Sequence, residues 1–152
     1  MSSTTAQHAI QQALVAALLA APAVAGGAVH TNRSRPISAQ QPTAVAVRME
    51  RTEGSAATLA AIDWRTTYTV ECYTTAAASA DPALAVDALL AAVWARLAAL
   101  QPAAVGQGLI DLQTEPAIAW DYEDNAERTT VCATLRVTAT HRTTPQSLAP
   151  WL

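Results

Sequence analysis

The 152-residue chain contains no lysine and no phenylalanine, and all nine of its basic residues are arginine. Charged residues make up 14% of the sequence and the formal net charge is −3, whereas a typical protein has about 25% charged residues. This weak negative charge excludes a basic nucleic-acid-binding module that relies on attraction to phosphate. The hydrophobic content of 51% excludes a chain kept disordered by its charge.

Two explanations of the low charge remain open from the sequence alone. The first is base composition, because a GC-rich genome favours alanine and arginine codons and suppresses those of lysine and phenylalanine; alanine alone accounts for 37 residues. The second is a surface largely covered by partner proteins, since assembly interfaces are depleted in lysine and glutamate but tolerate arginine. The two explanations are compatible.

Cysteine is scarce as well, and Cys72 and Cys132 are too few for a disulfide scaffold. We expect both to be free, partly buried thiols within strands. Residues 9–25 are apolar like a signal peptide, but no basic residue precedes them, and Gln11 and Gln12 interrupt the run. No stretch reaches the roughly 20 apolar residues of a membrane span. These features predict a cytosolic chain with no membrane segment.

A chain of this length makes about one domain, here with a core over about 6–142 and an irregular tail over 143–152. Apolar periodicity and capping residues predict one helix from Thr4 to about Ala21 and another from Asp81 to Pro102. Strands are predicted at 29–31, 43–51, 64–75, 106–114, 118–122 and 129–142, and residues 52–63 are predicted to form a long mobile hairpin loop. The order α-β-β-β-α-β-β-β predicts an α+β fold, with a mostly antiparallel sheet of about five to six strands and two helices on one face.

No motif predicts catalysis. The three histidines, His8, His30 and His141, lack metal-ligand spacing, and each is expected to have a surface or capping role. The Gly106-Gln107-Gly108 segment opens a predicted strand and is not followed by the lysine of a phosphate-binding loop. No serine lies in a G-x-S-x-G elbow. We therefore expect no enzyme activity, no catalytic residue, no cofactor and no metal.

The charged residues divide along the chain. Arginines concentrate in the first half, at Arg33, Arg35, Arg48, Arg51 and Arg65, and carboxylates in the last third, at Asp111, Glu115, Asp121, Glu123 and Asp124. A surface with basic groups on one side and acidic groups on the other pairs head to tail, and such contacts form a ring when the rotation closes. These ten residues are our candidates for a subunit interface. The alternatives are solvated surface charges and, for the carboxylates, a metal or acid–base cluster.

The order of segments also resembles a known family. An alanine-rich helix, AIQQALVAALLAAPAVAG, leads into two strands around an Arg-Pro loop, VHTNRSRPISAQQPTAVAVRMERTEG. The strand WRTTYTVECYT then precedes the helix DPALAVDALLAAVWARLAAL, and the last third reads GLIDLQTEPAIAWDYEDNAERTTVCATLRVTATHRTTP. Over about residues 6–145 this order resembles the tail terminator and minor tail proteins of lambda-like and related long-tailed bacteriophages. The missing lysines and the segment 52–63 depart from the family.

The resemblance implies a structural virion protein that forms a sixfold ring at the head-proximal end of the tail tube. Such a ring stops tube growth and joins the tail to the head connector. The implied partners are further copies of the chain, a tail tube protein and a head–tail connector or stopper protein, with DNA passing through the lumen without specific binding. The protein would be assembled in the host cytoplasm and reside at the head–tail junction of the virion. The alternatives are another neck, joining or completion ring, or a small α+β enzyme or ligand-binding domain.

Overall fold

One five-stranded sheet organises the chain, and two long helices pack against one of its faces. The structure is a computed structural model that describes residues 4–31 and 42–151. The strands are β1 (Val29–His30), β2 (Thr43–Thr58), β3 (Ala61–Ala77), β4 (Leu109–Asp124) and β5 (Arg128–Thr143), and the helices are α1 (Ala6–Leu19), α2 (Pro82–Ala99) and the one-turn α3 (Pro102–Val105). The sheet order is β1-β2-β3-β5-β4, with β1 parallel to β2 and every other pair antiparallel. The predicted α+β class and mostly antiparallel sheet are confirmed.

The helices begin where their capping residues place them. The Asp81 carboxylate accepts a hydrogen bond from the Ala83 amide at 3.0 Å, and Pro82 occupies the first turn of α2. In α1 the N-cap is Thr5, one residue later than predicted, and its hydroxyl accepts a hydrogen bond from the His8 amide. α1 ends at Leu19, shortly before Pro22, which cannot continue a helix.

The core lies between the helices and the sheet. Helical spacing places a buried apolar stripe on each helix, and strand alternation places a matching set on the sheet. The core includes Ile10, Leu14 and Leu18 of α1; Val86, Leu89, Leu90, Val93 and Leu97 of α2; and Val45, Val47, Tyr68, Val70, Cys72, Val131, Ala133, Leu135 and Val137 of the sheet. α2 is long and apolar enough to span a membrane by length and composition alone, but its stripe forms the centre of this core.

The prediction of a mobile loop over 52–63 is wrong. β2 and β3 continue through this segment as a paired hairpin that turns at Leu59 and Ala60. The threonine hydroxyls of Thr52 and Thr66 lie 3.0 Å apart across the two strands. The residues of β2 from Arg51 onwards are exposed on both faces, so the segment lacks the apolar alternation by which strands are recognised.

The predicted strands 106–114 and 118–122 are one strand, β4, so the order is α-β-β-β-α-α-β-β with five strands. The register between β4 and β5 shifts between Thr114 and Ile118, around Pro116. Proline cannot donate to a ladder but is tolerated at bulges and on edge strands, and β4 is an edge strand. The additional helix α3 begins at Pro102, because proline both stops α2 and suits the first position of a helix.

The C-terminal segment returns to the N-terminus. The Ala6 amide donates to the Leu148 carbonyl at 2.8 Å, and the Trp151 amide donates to the Arg142 carbonyl at 3.3 Å. Both cysteines are free, as predicted, with Cys72 buried and Cys132 partly buried. Cys132 is paired in register with Tyr73, the neighbour of Cys72, so strand alternation directs the two thiols to opposite faces of the sheet.

Candidate functional site

Within the described residues, one face of the sheet carries no helix, and we call it the open face. It presents Arg48 of β2, Glu71 and Tyr73 of β3, Cys132, Thr134 and Arg136 of β5, and Asp121 and Glu123 of β4. A trough of about 590 Å³ crosses the four long strands, and a smaller depression of about 320 Å³ adjoins it. Arg48, Glu71 and Thr134 line both.

The centre of the trough is a buried carboxylate with two donors. Glu71 is only 7% exposed; one of its oxygens accepts from the Arg48 guanidinium and the other from the Tyr73 hydroxyl, at 2.5 Å. Burial, followed by the hydrogen bond to Glu71, raises the pKa of Tyr73, and the same carboxylate raises the pKa of Arg48. The Arg48 Nε atom is buried without a hydrogen-bond partner. The cluster therefore holds a satisfied carboxylate and a protonated phenol, which suits a structural role better than acid–base work.

Most arginines of the open face are paired with carboxylates of the same chain. Arg136 binds Glu50 through two hydrogen bonds of 3.0 and 2.9 Å, and Arg142 binds Asp63 through two of 2.6 and 2.9 Å. The Arg142 guanidinium lowers the pKa of Asp63. Arg51 pairs with Glu53, and both side chains are largely exposed. Such exposed pairs contribute about 0–1 kcal/mol and exchange readily for others.

The ten candidate interface residues separate in space. Arg33 and Arg35 lie outside the described residues. Arg48 and Arg51 lie on β2 in the pairs given above, and Arg65 lies exposed on β3 with no ion pair to any described residue. The five acidic candidates, Asp111, Glu115, Asp121, Glu123 and Asp124, all lie on β4. The structure therefore brings the acidic candidates onto one edge strand, and β5, which carries other arginines, separates it from the strands β2 and β3 that carry the described arginine candidates.

β4 is also apolar where it extends past the helices. Ile118, Trp120 and Tyr122 are 39%, 43% and 47% exposed. Their register partners on β5 are Leu135, Ala133 and Val131, which belong to the core, so these three residues continue the helix-covered face outwards. We call them the β4 apolar stripe. The sequence analysis predicted a strand at 118–122 with these three residues on one face, and β4 contains it.

The sequence analysis missed two polar residues that join elements of the fold. Gln11 of α1 is 4% exposed, and its side-chain amide donates to the Val47 carbonyl of β2 at 2.9 Å. The two glutamines that interrupt the apolar run of α1 were the available signal. Arg96 of α2 donates to the carbonyls of Ala17, Ala20 and Pro22 at the end of α1.

The expectation that each histidine lies at the surface or caps an element is wrong for His141. This residue is fully buried on the helix-covered face, and its Nε2 lies 3.0 Å from the Thr66 hydroxyl. Its Nδ1 has no hydrogen-bond partner, and burial lowers its pKa. No group of three or more histidine, cysteine, aspartate or glutamate residues suited to a metal ion occurs among the residues that the structure describes.

Comparison with known proteins adds no relative. No protein-family model matches the chain, and no curated protein sequence is significantly similar to it.

Proposed function

We propose that the chain is the subunit of a structural ring, and specifically a tail terminator of a long-tailed bacteriophage. Six copies would form a ring at the head-proximal end of the tail tube, stop its growth and bind the head connector. The observation that carries the proposal is the placement of five carboxylates on one exposed edge strand, whereas β2, towards the opposite edge of the sheet, carries two arginines and two glutamates. A subunit with different charge on its two sides favours head-to-tail contacts.

Exposed apolar side chains also favour self-association. Exposed large apolar side chains include Leu59 at the β2–β3 turn, Leu84 on α2, and the β4 apolar stripe. Leu59 and Leu84 lie apart from one another, whereas the three residues of the β4 apolar stripe share one face of one strand, and exposed apolar patches mark interaction sites. The carboxylate of the trough is already satisfied by Arg48 and Tyr73, so a small-molecule role has less support than assembly.

We infer that the open face is the side of the ring that meets DNA. Asp111, Asp121 and Glu123 share this face, because their partners on β5 are Thr140, Cys132 and Thr130. Six subunits of charge −3 carry −18. A negative lining repels a duplex and leaves it free to slide, and the ion pairs of Arg48, Arg51, Arg136 and Arg142 reduce the positive charge that this face offers to phosphates, although Arg65 on the same face has no such pair among the described residues.

The test is native mass spectrometry and negative-stain electron microscopy of the purified full chain. The expected result is a closed sixfold ring that caps purified tail tubes and shows no duplex binding at physiological salt. The β4 variant Asp121→Asn/Asp124→Asn should alter the assembly, whereas Asp87→Asn, on the exposed side of α2, should leave it unchanged. A chain that stays monomeric at all concentrations, or a monomer that binds a small ligand in the trough, would contradict the proposal.

A further inference from the structure

The tip of the β2–β3 hairpin is apolar and uncharged, and its turn is closed by hydrogen bonds. No charged residue occurs from Gly54 to Ile62. Leu59, at the turn, is 102% exposed, so no described residue covers it. The strands pair up to Thr58 and Ala61, and the Thr58 hydroxyl accepts a hydrogen bond from the Ala60 amide at 3.1 Å. A turn that is already formed does not have to be ordered when its leucine is buried.

The β4 apolar stripe is a second exposed apolar surface, and its dimensions suit the tip. Its side chains are 39%, 43% and 47% exposed. They alternate along one face of β4 and span about 14 Å from Ile118 to Tyr122. The two strands of a hairpin lie about 5 Å apart. The stripe is therefore long enough to receive a two-stranded tip together with its side chains.

One chain cannot bring these two surfaces together. Trp120 is paired in register with Ala133 of β5, whereas Ile62, next to the tip, is paired with Thr143 at the other end of β5. The separation along β5 is ten residues, or about 34 Å. The tip and the stripe therefore lie at opposite ends of the sheet, and a contact between them needs a second copy of the chain.

Charge disfavours a contact between two stripes. β4 carries five carboxylates and no arginine, and Asp121 and Glu123 alternate with the residues of the stripe. Like charges on facing strands are destabilising. The occupant of the stripe should therefore be apolar and should bring no negative charge to β4.

The hairpin from Arg51 to Arg65 meets this condition. Arg51 is paired with Glu53, and Asp63 is paired with Arg142 of β5. Arg65 is exposed and has no ion pair to any described residue. The charge that the hairpin leaves unpaired among the described residues is therefore positive, which favours its approach to an acidic strand.

We propose that the β2–β3 tip of one copy packs on the β4 apolar stripe of the next copy, with Leu59 against the Trp120 and Tyr122 side chains. This inference rests on the proposed ring and names the contact through which each subunit holds the next. Exposed apolar patches rimmed by polar residues are typical of interaction sites. Each copy buries one apolar surface at either end of its sheet, and such head-to-tail contacts close into a ring when the rotation between copies allows it.

Disulfide trapping tests this contact. Leu59→Cys and Tyr122→Cys are made singly in a Cys132→Ser background, where the remaining Cys72 is buried. Because a disulfide needs Cα atoms within about 7 Å, these two positions cannot be joined within one chain. Oxidation of an equal mixture should give the heterodimer, and the doubly substituted chain should give a ladder that ends in a covalent ring. Ile118→Cys mixed with Leu59→Cys covers the other end of the stripe.

A charge introduced at the tip gives an independent measurement. Leu59→Asp would place a carboxylate against the acidic strand and remove a buried leucine, so the protein concentration at half-assembly should rise by about tenfold or more. Leu84→Asp makes the same change at another exposed leucine, on α2, and is the matched control that should leave this concentration nearly unchanged. Light scattering over a dilution series measures both.

Each outcome separates the tip contact from the ring itself. The substituted sites are exposed, and thermal melts matching the parent chain verify folding of the variants. If rings form but neither mixture gives a heterodimer, the tip contact is wrong and the ring stands. A Leu59→Cys chain that cross-links to itself, or a doubly substituted chain that stops at a dimer, would overturn the head-to-tail contact. If Leu59→Asp forms normal rings that no longer cap tail tubes, the tip binds the tube protein and the proposal is wrong. If the parent chain forms no oligomer, the proposed function falls together with the inference.

Discussion

Arg96 fastens the end of α1 to α2, and its removal should destabilise the fold measurably. Its Nη1 donates to the Ala17 and Ala20 carbonyls at 3.0 and 2.7 Å, and its Nη2 donates to the Pro22 carbonyl at 2.5 Å. The last carbonyls of a helix have no partner within the helix, and a cation near a helix C-terminus contributes about 0.3–1 kcal/mol. Hydrogen bonds from a charged donor contribute about 1.5–3 kcal/mol when shielded and less where water competes. We therefore expect Arg96→Ala to lower the free energy of unfolding by about 2 kcal/mol.

Urea unfolding followed by circular dichroism measures this loss. At about 2–4 °C per kcal/mol for a chain of this size, the Tm should fall by about 4–8 °C. Arg96→Lys should recover only part, since an ammonium group cannot reproduce the planar fork that reaches three carbonyls. Arg128→Ala, at the exposed β4–β5 turn, is the matched control and should be nearly neutral. Equal losses for Arg96→Ala and Arg128→Ala would refute the capping argument.

Two further predictions concern His141 and Gly108. Burial lowers the pKa of His141, so the imidazole is neutral in the folded state. The free energy of unfolding should therefore decrease as the pH falls below the unfolded-state pKa of about 6.5 towards the lower folded value. In urea titrations His141→Gln should flatten this part of the pH profile, and an unchanged slope would contradict a buried neutral His141. Gly108 has a φ of +70°, and an added Cβ would lie 2.8 Å from the Arg142 carbonyl oxygen, so Gly108→Ala should cost about 1–3 kcal/mol. Gly106→Ala, at a φ of +65° with nothing within 4 Å, should cost less, and equal melting losses would exclude a role for the close approach.

The sequence predicted those elements that bury one face. α2 follows from the Asp81 cap and its apolar spacing, and the middle of β3 follows from the alternation of Tyr68, Val70 and Cys72. The hairpin beyond Thr52 could not be predicted in this way, because neither face is buried and its strands are defined by pairing with each other. Cross-strand register depends on the whole sheet, and a single sequence does not display it.

The candidate site shows the same limit. The alternation of β3 places Glu71 on the face opposite the core, together with Thr67 and Thr69, where a carboxylate would ordinarily be solvated. Its burial depends on Arg48 of one neighbouring strand and on Tyr73, two residues along its own strand. Gln11 likewise read as an interruption of an apolar helix, although it covers a carbonyl of β2. In both cases the burial of the residue depends on a hydrogen-bond partner that is distant in sequence or that only the folded sheet brings close.

These pairings change which charges can direct assembly. Arg48 supports a carboxylate that is 93% buried, so its truncation would strand that charge and weaken folding before it weakened any interface. Arg136 and Arg142 are similarly engaged within the subunit. β4 differs from the strands of these arginines in composition, since it carries five carboxylates and no arginine. In the proposed ring, the five carboxylates of β4 would disfavour a twofold contact between two β4 strands, and the β4 apolar stripe would contribute attraction. Under this proposal, a chain that contains no lysine would still assemble in a single head-to-tail orientation, because the acidic strand lies at one edge of the sheet only.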